Sequence, residues 1–101
     1  MKKEEFLAEA EELKERLMKH PAWSLSFGDE SFAEFVIGYF YDAKDGCWKA
    51  YYNLDRGDHR IVLETKNEEE VYDKVISRIK QEIRVNERYY GMREKQGEQS
   101  G

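Results

Sequence analysis

Residues 35–54 constrain the fold more than any other part of the chain. Two apolar sets recur there with a period of two: Phe35, Ile37, Tyr39 and Tyr41, then Trp48, Ala50, Tyr52 and Leu54. Side chains alternate between faces along a strand, so each set lines one face. The two faces coincide if Asp42 sits opposite Cys47, which leaves Ala43-Lys44-Asp45-Gly46 as a four-residue hairpin loop. A slip of one residue would turn a whole set to water. Ile61 and Leu63 join the same face if Leu54 sits opposite His59, with Asp55-Arg56-Gly57-Asp58 as the second loop. Gly57 suits that loop because it tolerates positive φ.

Upstream, Trp23, Leu25 and Phe27 alternate with Ser24 and Ser26, the pattern of a half-buried strand. Gly28-Asp29-Glu30-Ser31 reads as a turn into a strand from Phe32 to Asp42. Helical spacing flanks the strands. Phe6, Ala10, Leu13 and Leu17, with Leu7 beside them, predict a helix over residues 3–19 that stops at His20-Pro21. Asn67 is a good N-cap, and Glu70 three residues later can close a capping-box-like pair. Tyr72, Val75, Ile76, Ile79, Ile83 and Asn86 form the inner stripe of the helix that follows, which Gly91 is expected to end or fray. The expected fold is α+β, in the order α-β-β-β-β-α. A four-stranded antiparallel meander carries an N-terminal and a long C-terminal helix on one face. Residues 1–95 form a single domain and 96–101 a disordered tail.

Composition narrows the function classes. The formal net charge is −5, and the excess sits in residues 29–66, which hold eight acidic and five basic side chains. An acidic domain is a poor ligand for nucleic acid or anionic membrane and a plausible one for a basic protein. A single cysteine, Cys47, excludes an internal disulfide and a thiolate metal cage. With no apolar leader or membrane-length run, the chain reads as cytoplasmic.

No constellation supports catalysis, and neither cofactor nor metal is expected. Cys47 and His59 fall at opposite ends of neighbouring strands, ~20 Å apart at ~3.3 Å per residue, too far for a nucleophile–base pair. His20 and His59 are the only histidines, and no paired-ligand spacing suits zinc. Lys80, Arg84 and Arg88 form a basic row on the last helix, read as a solvated face. Arg56-Gly57-Asp58 spells an adhesion tripeptide, but such short matches arise readily by chance.

Binding another protein is the expectation that remains. In an antiparallel meander the loops after the first and third strands share one end. Asp29, Glu30, Glu34, Asp55 and Asp58 would gather there, opposed only by Arg56 and Arg60. The outer sheet face would expose an apolar streak through Val36, Phe40, Tyr51 and Val62. Asp29, Glu30, Phe40, Tyr51, Asp55, Arg56 and Asp58 are therefore the candidate partner-binding residues. The competing reading is an adaptor that homodimerises through its last helix.

The segment Trp48-Lys49-Ala50-Tyr51-Tyr52-Asn53-Leu54-Asp55-Arg56-Gly57 has the form W-x-x-Y-x-x-x-[DE]-R-G, and the acidic helix start Asn67-Glu68-Glu69-Glu70-Val71-Tyr72 follows ten residues later. Over roughly residues 22–80 this resembles small bacterial immunity proteins of polymorphic toxin systems. The resemblance implies a cytoplasmic, non-catalytic domain, monomeric or homodimeric, that neutralises a cognate toxin domain by occlusion. It makes Trp48 and Tyr52 structural, and Tyr51, Asp55 and Arg56 contact residues. The charged turn around Arg84–Lys95 extends beyond that family's shorter last helix.

Overall fold

The computed structural model describes residues 1–17 and 23–100, with side chains through Arg88. The elements are α1 (Lys3–Leu17), β1 (Ser24–Gly28), β2 (Val36–Asp42), β3 (Cys47–Asn53), β4 (His59–Thr65) and α2 (Glu68–Ser100). The fold is α+β: one four-stranded sheet, in the order β1-β2-β3-β4, with both helices on one face. The expected helix stop at His20-Pro21 lies outside the described residues. Gly91 does not end α2, whose backbone continues to Ser100.

Helical spacing places Phe6, Ala10, Leu13 and Leu17 on one stripe of α1, and all four are buried. They pack with Val71, Tyr72, Val75, Ile76, Ile79 and Ile83 of α2 over Ile37, Tyr39, Ala50 and Tyr52 of the sheet. Phe6 stacks on Tyr72 at 4.7 Å and meets Phe27 at 4.8 Å, tying the helices to β1. The helices run parallel. Glu9 pairs with Lys80 at 2.9 Å, and one helical stretch further on Arg16 pairs with Glu87 at 2.8 Å.

The β2–β3 pairing is the expected antiparallel one, with Asp42 opposite Cys47 and Tyr39 opposite Ala50. Asp42 Oδ1 accepts from the amides of Lys44 and Asp45, and Gly46, at φ 65°, closes the turn onto the Asp42 carbonyl. Tyr41, expected to face the core, is at the sheet end and half exposed, with its ring edge-on to Trp48 at 5.2 Å. Trp48 is half-buried and packs against the core.

Two features of the expected meander are corrected. First, β1 pairs with β2 in parallel, from Ser24–Val36 to Gly28–Phe40. The chain leaving Gly28 does not turn back as a hairpin. Residues 29–35 instead return across the outer face to the start of β2, which begins at Val36 and not at Phe32. Phe35, at φ 55°, makes the final reversal and packs edge-on against Trp23 at 5.5 Å.

Second, the β3–β4 register holds only in part. Trp48–Thr65, Lys49–Glu64 and Ala50–Leu63 pair as expected, but a bulge then shifts the ladder so that Tyr51 faces Ile61 and Asn53 faces His59. One extra residue on β4 reverses the facing of everything before it. Val62 and Leu63 pack on the core, whereas Ile61 turns outward and is exposed. The loop closes tightly, with Arg56 and Gly57 both at positive φ and the Asp58 amide donating to the Asp55 carbonyl at 3.2 Å.

At the start of α2, Asn67 Oδ1 accepts from the Glu69 amide at 3.0 Å, the expected N-cap. The reciprocal bond differs from a capping box. Thr65 Oγ1 stands between the partners, accepting from the Asn67 amide at 3.1 Å and donating to Glu70 Oε2 at 2.6 Å.

Candidate functional site

The crossover 29–35 reshapes the face expected to bind a partner. Phe40 and Tyr51 were expected to be exposed neighbours, but they are 8% and 1% exposed. With Val36 they form a second, small apolar cluster on the side of the sheet away from the helices, with their rings edge-on at 5.7 Å. The crossover covers this cluster. Tyr51 O–H donates to the Asp29 carbonyl and the Ser31 amide donates to the same phenol oxygen, both at 2.9 Å. Buried Asn53 donates to the carbonyls of Ser31 and Ala33, both at 2.8 Å. Phe40 and Tyr51 therefore hold the cover in place and are too buried to serve as the expected contact residues.

The acidic residues are also rearranged. With β1 parallel to β2, Gly28 ends beside the 43–46 turn, at the end opposite the 55–58 loop. Asp29 stays at that end. The crossover itself carries Glu30 and Glu34 toward the other loop. Glu30 Oε2 lies 3.0 Å from His59 Nε2, and Glu34 Oε1 accepts the Arg56 amide at 3.4 Å. Glu30, Glu34, Asp55 and Asp58 thus surround the β3–β4 loop. Asp58 pairs with Arg60 at 3.2 Å, and Arg56 is exposed.

His59 is the centre of this surface. Its Nδ1 faces Asn53 Oδ1 at 2.5 Å. Because the Asn53 amide nitrogen is committed to two carbonyls, its oxygen must point at the ring and Nδ1–H donates. The imidazole meets two aromatic rings at a tilt, Tyr51 at 5.1 Å and Phe32 at 4.5 Å. Phe32 is 67% exposed, the most exposed of the large apolar side chains among the described residues. Ile61, two residues along β4 on the same face, extends the apolar strip. Sequence patterning missed Phe32, His59 and Ile61. Phe32 follows the turn-like Gly28-Asp29-Glu30-Ser31 with no periodicity to mark it, and Ile61 faces out only because of the bulge.

On the same face, Lys49 Nζ lies 2.9 Å from Asp42 and 2.5 Å from Asp45, with Glu64 at 3.7 Å. The hydrogen bond from Lys49 holds the Asp42 carboxyl below its ordinary value, and the two aspartates push the lysine up. This group satisfies itself and closes the β2–β3 turn.

Cys47 and His59 lie at opposite ends of the β3–β4 ladder, six positions apart along β3. Among the described residues, no group of three or more His, Cys, Asp or Glu side chains is placed to hold a metal ion. No helix among them is long and apolar enough to cross a membrane. Comparison with known proteins finds no matching family model, no matching curated protein and no matching solved structure.

Proposed function

We propose that this chain is a non-catalytic, protein-binding inhibitor, an immunity protein that neutralises a toxin domain by covering it. The observation that supports this reading is Phe32, held open to solvent on the His59 ring inside an arc of Glu30, Glu34, Asp55 and Asp58. An aromatic anchor that can be fully desolvated supplies short-range binding energy. Acidic groups around it speed encounter with a basic partner and contribute less to affinity, because salt screens them. The resemblance over roughly residues 22–80 points the same way, and its segment 48–57 puts Asp55 and Arg56 at the rim of this surface.

The test is co-expression with a candidate toxin domain, sought in the genes beside this one. The chain should restore growth and form a stoichiometric complex with the toxin. Phe32→Ala should speed dissociation at least ~10-fold, the effect of losing about 1.4 kcal/mol at an anchor. It should leave the unfolding midpoint nearly unchanged. Reversing Asp55 and Asp58 to Lys should slow association and flatten its salt dependence. No rescue and no complex would end the toxin-neutralising reading. A complex weakened only by Lys80, Arg84 or Arg88 variants would move the interface to α2.

A further inference from the structure

The sheet has two edges, and they differ in a way that identifies a second interface. Open strand edges invite pairing with another chain, and proteins blunt them with charges, proline or bulges. Edge strand β4 has such devices: Arg60, Glu64 and a bulge within its ladder. Edge strand β1, Ser24-Leu25-Ser26-Phe27-Gly28, has no charge, no proline and no bulge.

The backbone of β1 shows what it could accept. The Ser24 amide donates to the Phe35 carbonyl at 2.8 Å, toward β2. In a parallel ladder alternate residues direct both polar groups to the same neighbour. Ser24, Ser26 and Gly28 therefore face β2, and the N–H and C=O of Leu25 and Phe27 point out from the edge. Among the described residues that leaves two donors and two acceptors, spaced to meet an extended strand. Beside the edge lies a groove of about 500 Å³ between α1 and β1, with Leu7, Ala10, Trp23, Leu25 and Phe27 as its apolar lining and Glu11, Lys14 and Ser24 as its polar lining. Leu7 is 42% exposed there.

We infer that β1 pairs antiparallel with β1 of a second copy of this chain, across a two-fold axis at Ser26. The strand is self-complementary in that register. Leu25 of one copy lies opposite Phe27 of the other, and each pair exchanges both backbone bonds, so all four outward groups on each copy are satisfied. On the helix side of the sheet, Leu25 and Phe27 form two cross-strand apolar pairs. On the other side Ser24 meets Gly28 and Ser26 meets Ser26, all small. The grooves lie side by side, and Leu7 of each copy faces the seam. The two sheets become one of eight strands. The Phe32–His59 surface, centred on β4 and the crossover, stays open at the far edges, so the dimer does not depend on the toxin-neutralising reading.

Residue 26 faces itself across the axis, which gives a charge-swap test by sedimentation equilibrium. The wild-type chain should show twice the chain mass in the high-micromolar range. Ser26→Lys and Ser26→Asp should each fall to the single-chain mass with unchanged far-UV dichroism, and an equimolar mixture should recover the doubled mass. In a Cys47→Ser background, Ser26→Cys should oxidise to a covalent dimer, because non-hydrogen-bonded antiparallel partners bring their Cα atoms to about 4.5 Å, within disulfide range. A monomeric wild type would overturn the proposal. So would a dimer that persists in both charged variants, a charged pair that fails to reassociate, or a Ser26→Cys chain that does not cross-link.

Discussion

Gly38 shows how closely one residue can be fixed by its neighbours. A Cβ at this position in β2 would lie 2.0 Å from the Ser26 carbonyl oxygen and 3.0 Å from the Tyr51 hydroxyl. The first contact is with backbone, which cannot rotate away. Gly38→Ala must therefore push β1 from β2 and disturb the phenol that holds the crossover. Overpacking costs of this kind run about 1–3 kcal/mol, and the upper end is expected here. Thermal unfolding checks this, and an unchanged midpoint would mean the β1–β2 pairing is looser than described. Lys49 makes a different residue-scale prediction. The Asp42 carboxyl, bonded by Lys49, sits below its ordinary value of 3.8. A depressed carboxyl contributes stability that is complete above its unfolded value and fades as pH falls through the folded one. The wild type should therefore lose part of its stability below about pH 4. In Lys49→Met this loss should largely disappear, so the two unfolding curves should converge in acid. A gap that stays constant from neutral to acid pH would rule out the pair as its source.

At the scale of elements, both helical stripes and the β2–β3 register were legible in the sequence, because each has one solution that buries its apolar set. The β3–β4 register was half legible. Nothing in His59–Thr65 marks the position of the bulge, and the pairing on either side of it satisfies the same alternation. The parallel β1–β2 pair is not legible for a definite reason: Gly28-Asp29-Glu30-Ser31 has turn composition, and a turn after a strand suggests a hairpin. A contrary signal was present in β2 itself. Val36-Ile37-Gly38-Tyr39-Phe40 is apolar on both faces, the mark of a strand covered on both sides, and a meander with helices on one face supplies only one cover. The candidate site followed that error, since Phe40 and Tyr51 became exposed only in the absence of the crossover. The start of α2 was read correctly from Asn67, although Thr65 took up the reciprocal bond. Asn67→Ala should cost about 1 kcal/mol, the usual value for an N-cap side chain, and leave the core intact. Chemical denaturation with an unchanged slope is the expected result, and a changed slope would implicate more than the cap.

The whole molecule is a sheet with a large apolar core on its helical side and a three-residue cluster on the other, closed by seven residues of crossover. The two sides differ in what opening them exposes. Separating helices from sheet exposes the main core and amounts to unfolding. Lifting residues 29–35 exposes Val36, Phe40 and Tyr51 and breaks the bonds from Tyr51 and Asn53, while the β2–β3 ladder remains paired. Segments with few apolar contacts of their own open at lower free energy than the core and form separate cooperative units. The Ser31 amide reports on this unit directly, because its acceptor is the Tyr51 phenol. In native-state hydrogen exchange, Ser31 should open at a lower free energy than Ala50 or Tyr52 on β3. Its opening should also depend weakly on denaturant, since little surface is exposed. Tyr51→Phe removes both bonds through the phenol, about 2 kcal/mol at ~1 kcal/mol each, so Ser31 should exchange roughly 30-fold faster without its denaturant slope rising. If Ser31 and Ala50 instead share one free energy and one slope, the crossover and the sheet unfold together. Phe32 is then carried on a rigid part of the domain, and an anchor variant at Phe32 would act on binding alone. With a separable crossover, a partner that grips Phe32 must also hold the segment down, and its binding should slow Ser31 exchange in proportion to occupancy.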